Sequence, residues 1–295
     1  MTLYQERSQN IFRTVLLMGA FFVLVGVVGY GASLYFGSPA YLLVSLVFAV
    51  GMNVYSYWFS DRQVLRMTNA HPADREQYFD FYTVAENMAI TAGIPLPKLY
   101  VIDDPAPNAF ATGRNQKHAV VCATTGILSM LTRPELEGVI AHEMSHIRNK
   151  DMLVMTVAVV LAGFLATIAD MFFRFSMWGG GSSDRENKGG LFFILAIVGA
   201  ILAPIAAQLI QLAISRRREY LADASGALLS RHPEALASAL AKIGSYTSPM
   251  QNASTATAHL FISNPFGAGK TSWITNLFAT HPPIPERIKA LTGHY

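Results

Sequence analysis

From Thr14 to Ser60 the chain carries no charged residue. A run of that length is too long and too apolar for the surface of a water-soluble domain. It suits a bilayer, where about 20 apolar residues in a helix cross the hydrocarbon and every backbone polar group is satisfied within the helix. Two spans fit, Val15–Phe36 and Tyr41–Phe59, with Gly37-Ser38-Pro39 as the turn between them. A cleaved signal peptide fits the first stretch less well. Its apolar part exceeds the usual ~7–15 residues, and a second span follows at once. Composition agrees with a membrane chain: 52% of the 295 residues are apolar and 14% charged, against about 25% charged in globular proteins.

Two further spans are expected. Met152–Phe173 is interrupted only by Asp170 near its far end, which reads as an interfacial residue. Leu191–Ser215 is charge-free, with Pro204 as a kink, and a polar, Gly-rich connector (residues 174–190) precedes it. The basic residues set the topology. Arg7, Arg13, Arg62, Arg66, Arg148, Lys150, Arg216, Arg217 and Arg218 flank the spans on one side, against Arg174, Arg185 and Lys188 on the other. By the positive-inside rule both termini and the main polar block face the cytoplasm. The expected organisation is then a terminal segment and membrane hairpin (1–60), a first part of the polar domain (61–151), a second hairpin (152–215) and a second part of the polar domain (216–295). A net charge of +3 and the lack of a basic, aromatic-interleaved patch argue against nucleic acid as a partner. Cys122 is the only cysteine, so no intrachain disulfide can form, and it reads as a small buried hydrophobe.

Within the polar block, Asp74–Ala92 has helical spacing, with Phe81, Val84, Ala85 and Met88 as core contacts. Gly93-Ile94-Pro95-Leu96-Pro97 ends it. Three short strands follow, Lys98–Ile102, Asn108–Gly113 and His118–Cys122, then a short helix over Thr124–Leu131. The next helix begins with Thr132 as N-cap, Pro134 in the first turn, and Glu135 and Glu137 complementing the dipole.

That helix carries His142-Glu143-Met144-Ser145-His146. Residues four apart share a helix face, so both imidazoles can point at one ion. Two imidazoles with an oxygen ligand suit Zn2+, one per chain, and Glu143 beside the first ligand is placed to act as a general base. The third ligand must come from the same side of the membrane. Glu219 and Asp223 stand out there, four apart on the helix leaving the fourth span. One can bind the metal and the other can accept the free ring N–H of a ligating histidine. His71, His118, His232, His259 and His294 have no partner at metal spacing and read as ordinary residues. Residues 246–276, rich in Ser, Thr, Asn and Gly, read as a mobile segment near the site.

The His142–His146 motif, the Glu219-x-x-x-Asp223 pair, the terminal His281-Pro282-Pro283-Ile284-Pro285-Glu286-Arg287-Ile288 and the four-span layout resemble the HtpX-type membrane zinc metalloproteases, a group related to the CAAX prenyl endoproteases. The resemblance implies an α-helical membrane protein with four transmembrane helices and a mainly α (α+β), zincin-like cytoplasmic domain with a small β-sheet. It implies an endopeptidase of the bacterial inner membrane, with membrane proteins and unfolded polypeptides as substrates and the lipid bilayer as its setting. It further implies Glu219 as third zinc ligand and Asp223 as its supporting carboxylate. Asn108, Ala109, Phe110 and Ala111 become an edge strand for an extended substrate, and His281 and Arg287 become transition-state or substrate contacts. Three rivals stand beside this reading. A zinc-containing scaffold or chaperone without proteolysis would want a Cys-rich ligand set, a transporter would want paired intramembrane charges, and CAAX-type processing would want a larger membrane chamber.

Overall fold

The computed structural model describes residues 3–178, 216–254, 257–267 and 282–293. The expected fourth span and His281 lie outside them. Helix α1 (Leu3–Phe36) and helix α2 (Ala40–Met67) form the first hairpin, turning at Gly37 with φ of 65°. Both are longer than expected. At 1.5 Å per residue α1 is about 50 Å long, well beyond the ~30 Å hydrocarbon layer, so its first turns stand outside the membrane. Three helices among the described residues are long and apolar enough to cross a membrane: Ser8–Phe36, Ala40–Met67 and Asp151–Asp170.

The polar block forms a four-stranded mixed sheet covered by helices. Its strands are β1 (His71–Pro72), β2 (Lys98–Ile102), β3 (Ala109–Thr112) and β4 (Val120–Thr124), in the order β1-β2-β4-β3. The β2/β4 pair is parallel and the outer pairs are antiparallel. The short strand β1 was not foreseen, because two residues carry no alternation pattern. Helix α3 runs Phe79–Ala92, starting later than the periodicity predicts because Asp74 instead caps a separate turn, accepting from Glu76 and Gln77. Helix α4 is Thr125–Met130, and α5 is Arg133–Asn149. After the undescribed stretch come α7 (Arg216–Ser230), α8 (Pro233–Ser245) and α9 (Ile284–Thr292).

One core joins α3 to the sheet, α5 and α8. Phe81, Val84, Ala85 and Met88 pack with Val121, Val139, Ile140, Met144, Leu236 and Leu240. A second cluster joins α1 to α6 (Asp151–Trp178) through Leu17, Phe21, Val157, Leu161 and Leu165. In the most apolar window of α6, 72% of residues are buried, against 17% in α1 and 11% in α2. Helix α6 is therefore the inner span, while α1 and α2 turn side chains such as Val15, Val27, Leu34 and Val47 outward, as lipid contact requires.

The junction of α5 and α6 positions the site. Lys150, in the left-handed conformation at φ 60°, is the only residue between them. The helix bearing the two histidines thus turns directly into a membrane span.

Candidate active site

Helix α5 is locked at its start. The Glu135 carboxylate accepts from the Thr132 backbone N–H at 2.8 Å, from Ser238 Oγ at 2.7 Å and from Lys242 Nζ at 2.7 Å, tying α8 to the first turn of α5. Burial alone would raise its pKa. The hydrogen bonds from Lys242, Ser238 and Thr132 outweigh it and hold the group at about 2. Gly138 admits α8: a Cβ there would lie 3.0 Å from the Leu236 backbone.

Three turns on, His142 and His146 place their Nε2 atoms 3.2 Å apart. Each ring turns its other nitrogen to a buried carboxylate. His142 Nδ1 lies 2.9 Å from Asp223 Oδ1, and His146 Nδ1 lies 3.1 Å from Asp151 Oδ2. With Nδ1 of each ring donating, both Nε2 lone pairs are aimed at the same point. That arrangement is repulsive unless a proton or a metal ion lies between the two nitrogens. Glu219 completes the set, with Oε2 at 3.8 Å from His142 Nε2 and Oε1 at 3.6 Å from His146 Nε2. Ligands about 2.1 Å from one tetrahedral centre lie about 3.4 Å from each other, so the donor set fits a single divalent ion. All three residues are buried, and their ligand atoms lie within 4.8 Å of one another.

Glu143 is buried beside this cluster, where the nearby Ala111 backbone N–H favours its charged form. Burial, assisted by the negative charge of Glu219, pushes its carboxyl up to about 7, against the opposing pull of His146 and Arg287. A bound cation would lower it again. For His146, burial disfavours the charged ring, but the hydrogen bond to Asp151 and the charge of Glu219 win and raise it to about 9. For His142, burial prevails over Asp223 and its pKa falls. Cys122 lies on β4 opposite Phe110; burial, and then the Glu143 charge, push its thiol well up, so it is an inert core residue.

Helix α7 delivers Glu219 and Asp223 on one face, and Gly226 continues that face one turn later. Asp223 has a second partner. Arg287 of α9 donates to it through Nε at 2.8 Å and Nη2 at 2.7 Å, and through Nη1 to the Ile262 carbonyl at 3.1 Å. Arg287 is wholly buried in these contacts. It is within electrostatic reach of Glu143 and Glu219, yet its donors are directed at Asp223.

Strand β3 is at the end of the sheet, with its outer edge toward Glu143, but that edge is partly filled. Ile262 donates its N–H to the Ala109 carbonyl at 2.9 Å, and the Asn108 amide exchanges hydrogen bonds with the backbone of Ser263. Phe261 stacks edge-on against Phe110 at 5.1 Å. Within the described part of the 246–276 stretch, residues 257–262 are packed, with Leu260, Phe261 and Ile262 buried, whereas 247–249 and 251–252 are exposed. Two partners lie outside the motifs. Asp151 follows His146 by five residues, a spacing that helix periodicity does not single out. Asn10, which bonds Asp151, left no signal at all.

A two-histidine, one-carboxylate cluster beside a buried glutamate, with the histidine helix leading directly into a membrane-length helix, defines a membrane metalloprotease. The sequence profile of Peptidase family M48 matches residues 79–294, and the chain belongs to that family, in its HtpX-type group. It is 49% identical over 295 residues to a "Protease HtpX homolog" of Caldanaerobacter subterraneus subsp. tengcongensis, covering 98% of this chain and 97% of the relative. A protein of the same description from Pyrococcus furiosus is 47% identical over 281 residues, covering 95% and 94%. Among solved structures, Ste24p of S. mikatae shares the fold at a TM-score of 0.50 and 18% identity, covering 99% of this chain and 67% of that one.

Proposed function

We propose that the chain is a zinc endopeptidase of the bacterial inner membrane that cuts misfolded or damaged membrane proteins at the cytoplasmic face, as quality control. The observation that carries this reading is the convergence of His142 Nε2, His146 Nε2 and Glu219 on one point, little more than one helix turn before the start of α6, a helix of membrane length. A polypeptide at the membrane surface can reach that point. The basic residues flanking the spans support the cytoplasmic orientation of the domain and both termini.

His142, His146 and Glu219 would hold the zinc, and Asp223 would fix the His142 ring. A bound zinc supplies Lewis acidity toward the scissile carbonyl and toward water. Glu143 takes a proton from the attacking water and returns it to the leaving nitrogen. A buried carboxylate beside the metal site, close to both the attacking water and the leaving nitrogen, can do both. The outer edge of β3, from Asn108 to Ala111, would align an extended chain through backbone hydrogen bonds, a mode that places few demands on the substrate's sequence. The Ile262 contact to Ala109 would have to yield where the substrate runs past it.

The test compares fragments of membrane proteins generated by the purified wild-type chain and by Glu143→Gln, with and without a zinc chelator. Cleavage lost in both the variant and the chelated enzyme is the expected result. Equal fragment patterns in wild type and Glu143→Gln would remove the assigned base and with it the proposal.

A further inference from the structure

Metal binding through Nε2 obliges each histidine to carry its proton on Nδ1, and a buried N–H needs an acceptor. The chain provides two acceptors from different places. Asp223, on α7, serves His142. Asp151, the first residue of α6, serves His146. Asp151 is wholly buried and is itself held from two further sides. Its Oδ1 accepts from the Asn10 side-chain amide, and Arg218 Nε lies 3.7 Å from the same oxygen. Arg218 directly precedes the ligand Glu219. Asn10 belongs to α1, and its amide also reaches the Asn149 carbonyl at 3.2 Å, at the end of α5. One carboxylate thus joins the histidine helix, the helix bearing the third ligand, and the first membrane helix.

We infer that Asp151 is a positioning residue for the metal ligand His146, and that Asn10 of the first membrane helix holds Asp151 in that role. This inference rests on the metal site set out above. Asp151 directs one oxygen at each of two donors, so an asparagine in its place has a single acceptor oxygen for both and must turn its own N–H₂ toward one of them. The His146 ring then loses either its fixed tautomer or its fixed orientation. Removing the Asn10 amide leaves Asp151 Oδ1 with the longer Arg218 contact at 3.7 Å on that side, and so less firmly aimed at His146. The metal ligand is therefore tied to α1, a helix that contributes no ligand and is otherwise in the bilayer.

The experiment measures zinc affinity by chelator competition on the full chain in detergent, together with the absorption spectrum of the cobalt-substituted protein. The variants are Asp151→Asn, Asn10→Ala and Asn53→Ala. The last removes a different polar contact of α1, the Asn53 amide to the Met18 carbonyl at 3.3 Å, away from the site. Asp151→Asn is expected to weaken zinc 10–100-fold, the usual cost of losing such a partner, and to shift the cobalt spectrum. Asn10→Ala is expected to weaken zinc about tenfold, while Asn53→Ala keeps the wild-type value. Wild-type affinity and spectrum in Asn10→Ala overturn the inference, also if Asp151→Asn fails to fold. Equal weakening in Asn10→Ala and Asn53→Ala overturns it too, since general helix packing would then be the cause. Failure of the metal site itself looks different: the wild-type chain would take up no stoichiometric zinc, or His146→Ala would bind it as tightly as wild type.

Discussion

Gly226 of α7 lies directly against the main chain of His142. A Cβ at position 226 would sit 2.9 Å from the His142 nitrogen and 3.0 Å from its Cα. Backbone thus meets backbone at His142, the first of the proposed metal ligands, and the bare glycine sets how closely the face bearing Glu219 and Asp223 approaches α5.

Gly226→Ala must therefore push α7 outward, because neither backbone can yield as a side-chain end would. Overpacking of this kind costs about 1–3 kcal/mol. The expected outcome is a lower melting temperature and roughly tenfold weaker zinc binding. Chelator competition and thermal unfolding check it, and unchanged values for both would show that the interface is softer than its spacing.

The pair of Asp223 and Arg287 is buried on both sides, with Arg287 at 0% and Asp223 at 2% exposure. Its carboxyl is held at about 2: burial opposes ionisation, and the hydrogen bonds from Arg287 and His142 more than compensate. Removing one partner strands a buried charge, at a cost of about 3–5 kcal/mol. Arg287→Met should lower stability by that order in chemical denaturation. Arg287→Lys should recover only part of it, since an ammonium cannot reproduce the two-pronged contact.

Glu135 gives a pH signature away from the metal. Its carboxyl ionises at about 2 in the folded chain against 4.5 for the free group. The folded state therefore binds the proton less readily than the unfolded one. The resulting stabilisation is complete above pH 4.5 and is lost as pH falls from there toward 2. Lys242 is 40% exposed, so screening reduces the contribution to about 1–2 kcal/mol. Glu135→Gln should lower stability by that amount at neutral pH and converge on wild type in acid. An equal gap at both pH values would reject the assignment.

Glu143→Gln keeps the size of the side chain and removes its basicity. Hydrolysis should fall by about 10²–10⁴-fold, while zinc content stays at the wild-type level because Glu143 is not a ligand. Metal analysis beside a kinetic assay decides the point.

Much of this site is written locally. His142 and His146 meet because four residues make one helix turn, and Glu219 and Asp223 share a face for the same reason. The spans are visible because Thr14–Ser60 and Met152–Ala169 contain no charge. The strands β2, β3 and β4 were found within two residues of their observed limits from alternation and turn residues. The weaker readings came where pattern was short or misleading. The polar composition of residues 246–276 suggested mobility, yet Leu260, Phe261 and Ile262 fill the edge of β3.

What the sequence by itself determined is the chemistry: two imidazoles, a neighbouring carboxylate, a pair of acids four apart, and membrane-length helices to carry them. Tertiary structure alone decided which acid faces the Nε2 atoms and which faces Nδ1, that Asp151 meets His146 Nδ1 and Asn10 meets Asp151, and that Gly226 lies against the His142 backbone. The reason is physical. Spacing within one helix is fixed by its own hydrogen bonds, whereas the meeting of Asn10 with Asp151, 141 residues apart, depends on how whole helices pack.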